Sequence, residues 1–148
     1  MGNVQILLRQ HVGAPCQAIV KAGDKVEKGT LIATPTGLGA NIFSSVYGVV
    51  EEVTDDRIII KPDEEQKEEF VPIKEGTKLE MVKEAGIVGM GGAGFPTGVK
   101  LNIDLSETPM AELDPEINPE LPEGFKLEHS YILVNAAECE PGLEHNIK

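Results

Sequence analysis

Short apolar runs alternate with glycine-containing turns over the first 60 residues. Between residues 18 and 33, a Gly-Asp pair and a Lys-Gly pair separate the apolar stretches, which is typical of strands joined by tight turns. The same style recurs over 41–53, where Gly48 predicts a bend, and 57–61 reads as one more short strand. The pattern predicts a β domain over residues 1–75.

The pattern becomes polar and then helical beyond this β region. Five acids and one lysine between Asp63 and Glu69 predict a solvated loop. Thr77 has a glutamate three residues later, at Glu80, which is the spacing of a capping box. Gly86 suits the end of a helix. The sequence therefore predicts a short helix over 77–86.

A glycine-rich run follows, Gly89-Met-Gly-Gly-Ala-Gly-Phe-Pro-Thr-Gly-Val-Lys100. Glycine permits positive φ and close approach of the backbone to a ligand, and exposed amides at such a turn bind anions. The run lacks the Gly-Lys-Ser/Thr ending of a P-loop. It also differs from the Gly-x-Gly-x-x-Gly dinucleotide fingerprint. By itself the run predicts an anion-binding loop, or else a flexible lid without a ligand.

The remainder of the chain divides into an acidic stretch and a strand. Residues 104–128 hold eight acids, one lysine and four prolines, and proline at this density blocks a continuous helix or central strand. We expect an extended, proline-rich insert over 101–128. Residues 130–135 then form an apolar run typical of a buried strand. In open α/β sheets, ligands bind just outside the carboxyl end of such a strand.

Charge and cysteine content narrow the classes of function. The formal net charge of -12 argues against nucleic acid or an anionic membrane as a partner. No apolar run approaches the roughly 20 residues that span a bilayer. The two cysteines, Cys16 and Cys139, form no Cys-x-x-Cys motif, so the simplest location is a reducing cytoplasm. His11, His129 and His145 are too scattered to indicate a metal site.

The β region resembles the barrel-sandwich hybrid fold of biotinyl and lipoyl carrier domains. The resemblance rests on Val20-x-x-Gly-Asp-x-Val-x-x-Gly-x-x-Ile-Ala33, followed by Ser45-x-x-Gly-x-Val50. Carriers of this fold attach their cofactor to a lysine on the hairpin between the two halves. Here that hairpin is Pro35-Thr-Gly-Leu-Gly-Ala-Asn41, which has no lysine. The resemblance therefore implies the carrier fold without the carrier function.

A second motif, Val134-Asn-Ala-Ala-Glu-Cys-Glu-Pro141, follows the glycine-rich run along the chain. Taken together, the two motifs resemble the FMN site shared by the RnfC electron-transport family and the flavin subunit of respiratory complex I. Gln10-His-Val-Gly-Ala-Pro15 is similar to the N-terminal region of RnfC proteins. The fold class implied is α+β to α/β: a β barrel-sandwich hybrid over 1–75, then the start of an α/β FMN-binding domain over 76–148.

The resemblance also implies roles for individual residues. The glycines would lie against the flavin and its phosphate-bearing tail, the lysine would place a positive charge near the flavin, and the asparagine would hydrogen-bond the flavin. The two glutamates would line the pocket where the nicotinamide nucleotide meets it, although they could instead cap a helix after Pro141. These residues are Gly91, Gly92, Gly94, Lys100, Asn135, Glu138 and Glu140. A flavin needs such a bare groove with few polar contacts.

The function implied is that of an FMN-dependent electron-transfer subunit. It would move electrons between NADH and iron–sulfur clusters, or pass them to a partner reductase together with other electron-transfer subunits. Ala137 replaces an aspartate of the complex I subunit, and the insert and the Gly-Leu-Glu-His-Asn-Ile run at 142–147 resemble proline-reductase-associated RnfC proteins. We expect an N-terminal fragment, with the 4Fe-4S motifs of the parent elsewhere and peripheral association with a membrane complex. The alternative is a non-catalytic docking module that uses the β domain and the acidic insert.

Overall fold

Seven strands and two helices make up the part of the chain that the computed structural model describes, residues 2–90 and 92–103. The strands are short, as the closely spaced turn signals predict. They are β1 (Val4–Leu7), β2 (Gln17–Ala18), β3 (Lys25–Val26), β4 (Leu31–Thr34), β5 (Ile42–Phe43), β6 (Gly48–Val53) and β7 (Arg57–Pro62). The helices are α1 (Lys78–Glu84) and α2 (Thr97–Lys100).

The strands form two antiparallel sheets. One has the order β1-β7-β6-β3 and the other β2-β4-β5. In the larger sheet, Ile6 pairs with Ile58 and Val50 pairs with Ile60. Since side chains alternate across a strand, this register turns Ile58 and Ile60 to the same face. Both side chains are fully buried there.

The core lies between the two sheets and is almost entirely aliphatic. Burying each large aliphatic side chain stabilises the fold by about 1.5–3 kcal/mol. An aliphatic core between two sheets agrees with the expected β barrel-sandwich fold. The buried cluster comprises Ile6, Leu8, Cys16, Val26, Ile32, Ala33, Ile42, Val50, Ile58 and Ile60.

Gly48 differs from its predicted role. The bends lie at residues 45–47, and Gly48 is the first residue of β6, where it pairs with Val26 on one side and Pro62 on the other. A Cβ at Gly48 would collide with the carbonyl oxygen of Lys61. Glycine is needed here because two backbones approach closely, which is the second common reason for glycine in a strand.

Helix α1 confirms the predicted capping box. The Thr77 hydroxyl accepts a hydrogen bond from the Glu80 amide, and the Glu80 carboxylate accepts one from the Thr77 amide. The helix is terminated after its C-cap residue Ala85 by Gly86, whose φ is +66°. The Gly86 amide donates to Lys83 and the Ile87 amide donates to Val82, which is the Schellman pattern.

Residues 1–102 form one compact unit, which contains both the β domain and the helices. The boundary predicted between residues 75 and 76 stays a prediction. The insert predicted over 101–128 lies outside the described residues from 104 onward, and so does the strand predicted at 130–135. Among the helices of the described segments, none has the length and apolar character that a membrane crossing requires.

Candidate functional site

The glycine-rich run forms the tip of a small hairpin. The Gly89 amide donates to the Phe95 carbonyl at 2.9 Å, and the Thr97 amide donates to the Ile87 carbonyl at 2.9 Å. Val88 and Pro96 are paired between them in an antiparallel bridge. The hairpin therefore fixes both ends of the glycine segment, and α2 begins directly after the second strand of the bridge.

Two glycines within this tip adopt conformations that other residues rarely take. Gly92 has a φ of +55° and Gly94 a φ of +59°. A Cβ at Gly92 would meet nothing within 4 Å, whereas a Cβ at Gly94 would lie 2.9 Å from the carbonyl oxygen of Gln10 and 3.3 Å from Cα of His11. Gly94 is thus required twice, by its backbone angle and by its contact with the β domain.

A shallow cleft of about 450 Å³, largely open to solvent, lies between this glycine tip and the segment after β1. One wall is backbone without long side chains, and the other carries Arg9, the only charged side chain among the described residues of the lining. None of those lining residues is acidic, although the chain has 25 acids. The lining residues are Arg9, Gln10, His11, Val12, Gly89, Gly92, Ala93 and Gly94.

His11 lines the cleft, and its ring is held by two contacts within the β domain. Its side chain is buried, with Nδ1 2.9 Å from the Val12 carbonyl oxygen and Nε2 3.2 Å from Sγ of Cys16. A carbonyl only accepts, so Nδ1 carries the proton in the neutral ring and Nε2 is an acceptor. Sγ of Cys16 also lies 3.3 Å from the Ala40 carbonyl. Both side chains therefore have packing roles.

Burial raises the pKa of the Cys16 thiol. The uncharged thiol is favoured because the site gives a thiolate little solvation. Its S–H has two acceptors within reach, the Nε2 of His11 and the carbonyl of Ala40. This arrangement stabilises a protonated, structural cysteine and gives no reactive nucleophile.

The hairpin at 35–41 packs against the C-terminal end of α1. Nδ2 of Asn41 donates to the Glu84 carbonyl at 3.1 Å, and a Cβ at Gly86 would collide with the Asn41 carbonyl oxygen. A Cβ at Gly39 would collide with the His11 ring. The position that carries a cofactor in the carrier domains is here a packed contact, because the hairpin fastens α1 and His11 to the β domain.

Lys100 is exposed at the end of α2 and does not line the cleft. Its Nζ lies 5.4 Å from the centroid of the Phe95 ring, a distance at which a cation and an aromatic face attract. The contact holds the lysine beside the second strand of the hairpin. Its predicted role near the flavin stays a prediction.

The structure brings part of the predicted site together. Gly92 and Gly94 lie side by side in the cleft lining, and Lys100 lies nearby in sequence but outside that lining. Sequence reasoning missed Arg9 and the backbone of His11, because their proximity to the glycine tip comes from tertiary packing. The remaining predicted residues, Gly91, Asn135, Glu138 and Glu140, lie outside the described residues.

The geometry of the tip fits a phosphate-bearing flavin. Gly92 leaves open space where a Cβ would stand, and Gly94 keeps the backbone close to the opposite wall. A bare backbone with positive φ at two positions presents amides that a side chain would otherwise cover. A lining whose described residues include a cation and no acid suits the anionic phosphate of FMN.

Family comparison divides the chain into two matched parts. The RnfC barrel sandwich hybrid domain matches residues 1–77. The Nuo51 FMN-binding domain matches residues 82–148, which include the glycine tip. The first match agrees with the two-sheet core. The second covers a segment of which residues 82–90 and 92–103 are described.

Curated relatives align along almost the whole chain. A component of the proton-translocating ferredoxin:NAD(+) oxidoreductase complex of Clostridium ljungdahlii is 35% identical over 95% of this chain and 30% of its own length. A component of the ion-translocating oxidoreductase complex of Rhodobacter capsulatus is 34% identical over 95% of this chain and 27% of its own. Its Vibrio cholerae counterpart is 30% identical over 90% of this chain and 17% of its own length. The chain thus spans less than a third of the length of these relatives.

Proposed function

The chain belongs to the RnfC family, and from this premise we propose that it supplies the glycine-rich part of an FMN site in an electron-transfer subunit. The observation that carries the proposal is the glycine tip, held at both ends by the Gly89–Phe95 and Ile87–Thr97 hydrogen bonds. It lies within the segment that matches an FMN-binding domain.

The tip binds and orients the ligand. Backbone amides around Gly92 and Gly94 hold the phosphate-bearing tail, because these positions leave the backbone uncovered. Gly94 approaches the Gln10 carbonyl so closely that a side chain would separate the tip from the β domain. When bound, FMN supplies acceptance of a hydride and release of single electrons. The protein's contribution is a fixed groove for that ligand.

Electron donor and acceptor are proposed from the relatives. Their names describe ferredoxin:NAD(+) oxidoreductase complexes and ion-translocating complexes. We propose NADH as the nucleotide partner and 4Fe-4S clusters or a partner reductase as the route for electrons, with other members of the complex as neighbours. Proline reductase is the narrower proposal for that partner. A peripheral position on the cytoplasmic side of a membrane complex accommodates these partners.

The test uses the full-length protein. Purified protein is titrated with FMN, and flavin absorbance is followed after NADH is added. We expect stoichiometric flavin binding and NADH-dependent bleaching. Gly94→Ala should weaken FMN binding at least about tenfold, since the tip must shift. Gly23→Ala is the matched control, because Gly23 also has positive φ but lies in a β-domain turn.

Two outcomes would reject the proposal. Full-length protein that neither binds FMN nor bleaches it with NADH excludes the function. Equal loss of FMN binding in Gly94→Ala and Gly23→Ala would show that the glycine tip has no special part in the site. Circular dichroism of both variants establishes that each one is folded before binding is compared.

The docking alternative depends on the acidic insert. That insert lies outside the described residues from 104 onward, and no contact of the described part favours docking over flavin binding. Electron transfer is therefore the better supported of the two proposals.

A further inference from the structure

We propose that Arg9 is a binding residue for a nucleotide phosphate in the cleft beneath the glycine tip, a position contributed by the β domain. The inference rests on the proposed function and deepens it. Arg9 directly follows the buried Leu8 and lines the cleft opposite Gly92, Ala93 and Gly94. Two segments far apart in the sequence thus line one space, with an exposed arginine in one of them and the glycine tip in the other.

The charge environment of Arg9 is unlike that of the other arginine. Arg57 forms an ion pair with Asp56, with its Nη2 2.5 Å from a carboxylate oxygen. Arg9 has no salt-bridge partner among residues 2–90 and 92–103. The chain has 25 acids and 13 basic residues, yet none of those acids lines the described part of this cleft. An arginine that lacks a carboxylate in such a cleft leaves its positive potential for a ligand.

The chemistry of the cleft selects a phosphate. A guanidinium donates paired hydrogen bonds to phosphate oxygens in a geometry that a lysine lacks. Glycine-tip amides favour the same anion. The two sides approach closely, because a Cβ at Gly94 would lie 2.9 Å from the Gln10 carbonyl oxygen and 3.3 Å from Cα of His11. The phosphate could belong to FMN or to the nicotinamide dinucleotide, and the experiment distinguishes them.

The test compares full-length wild type with Arg9→Ala, Arg9→Lys and Lys25→Ala. Lys25 is exposed on strand β3 and outside the cleft lining, so it controls for loss of one charge. Each protein is titrated with FMN and with riboflavin, which lacks the phosphate, and KM for NADH is measured. We expect Arg9→Ala to reduce one phosphate-dependent affinity about tenfold. Arg9→Lys should restore part of it.

The outcomes distinguish the FMN phosphate from the dinucleotide phosphate, and failure of the Arg9 site from failure of the proposed function. Weaker FMN binding with unchanged riboflavin binding assigns the flavin phosphate, and a raised KM for NADH with unchanged FMN binding assigns the dinucleotide. Wild type that binds FMN, with Arg9→Ala equal to Lys25→Ala in every titration, overturns the Arg9 site alone. Equal losses of FMN and riboflavin binding also overturn it. Wild type that binds neither nucleotide rejects both this site and the proposed function.

Discussion

Nε2 of His11 lies 3.2 Å from Sγ of Cys16, and this buried pair joins the wall of the cleft to the core of the β domain. Cys16 belongs to the hydrophobic cluster, and the His11 backbone approaches Gly94 closely enough that a Cβ there would lie 3.3 Å from Cα of His11. A short chain of contacts therefore leads from the β core to the glycine tip. Substitutions of His11 or Cys16 should therefore alter the conformation of the glycine tip.

Replacing the ring tests that connection. We expect His11→Ala to lower the free energy of unfolding by about 2–3 kcal/mol, since it leaves a cavity and removes an acceptor from Cys16. Urea denaturation measures the loss, and FMN titration of the folded variant measures the effect on the tip. Val20→Ala, a truncation of a half-buried residue that lies outside the cleft lining, is the control. An unfolding free energy equal to that of wild type would contradict the supporting role.

The glycine tip should distinguish two substitutions. Gly94 has both a positive φ and a near contact with the Gln10 carbonyl, so we expect Gly94→Ala to lose about 2 kcal/mol in unfolding free energy. Gly89→Ala meets only ordinary contacts, at 3.7 Å from the Phe95 amide nitrogen. Its unfolding free energy should stay near that of wild type. Equal values for both variants in thermal or urea unfolding would show that the tip does not press against the β domain.

Asn41 should determine how firmly α1 is attached. Asn41→Ala removes the donor to the Glu84 carbonyl, and we expect a loss of about 1 kcal/mol. Amide exchange at Gly86 and Ile87 should accelerate, since these amides close the end of the helix. Asn102→Ala, at an exposed asparagine, is the control. Unchanged exchange at both amides in Asn41→Ala would contradict the attachment.

Burial of the Cys16 thiol should make the stability of the fold depend on pH in the alkaline range. Burial raises its pKa in the folded state, so the neutral thiol contributes stability that is fully present below the pKa of the unfolded chain. That contribution is lost as pH rises through the raised folded pKa. In a Cys139→Ser background, stability should fall above about pH 9 and alkylation should be slow. Cys16→Ala should show no such fall, and a fall of the same size there would contradict the assignment.

The capping box of α1 should make the stability of this helix depend on pH in the acid range. Hydrogen bonds from the Thr77 amide and hydroxyl lower the pKa of Glu80. A lowered carboxyl pKa means that the stabilisation is present above the unfolded pKa and lost as pH falls through the folded value. NMR titration of the Glu80 carboxyl should give a midpoint below that of a free glutamate. The Thr77→Ala variant should return it toward the ordinary range, and an unchanged midpoint would contradict the box.

Local features were predictable because their causes lie within a few residues. Thr77, Glu80 and Gly86 define α1 by capping and by positive φ, and each contact spans a few positions of the chain. The β turns and the aliphatic strands follow from their own patterns. The bend predicted at Gly48 was wrong, because its close approach to Lys61 depends on a neighbouring strand that the local pattern does not reveal.

The family, the β domain, the capped helix and the glycine run can all be predicted from the sequence, since they depend on local spacing and on motif identity. That Arg9 and His11 line the same cleft as Gly94, and that the hairpin at 35–41 packs against α1, follows only from the folded chain. The physical reason is that these contacts join segments far apart in the chain. Their closeness depends on the sheet register and on how the two sheets enclose one core.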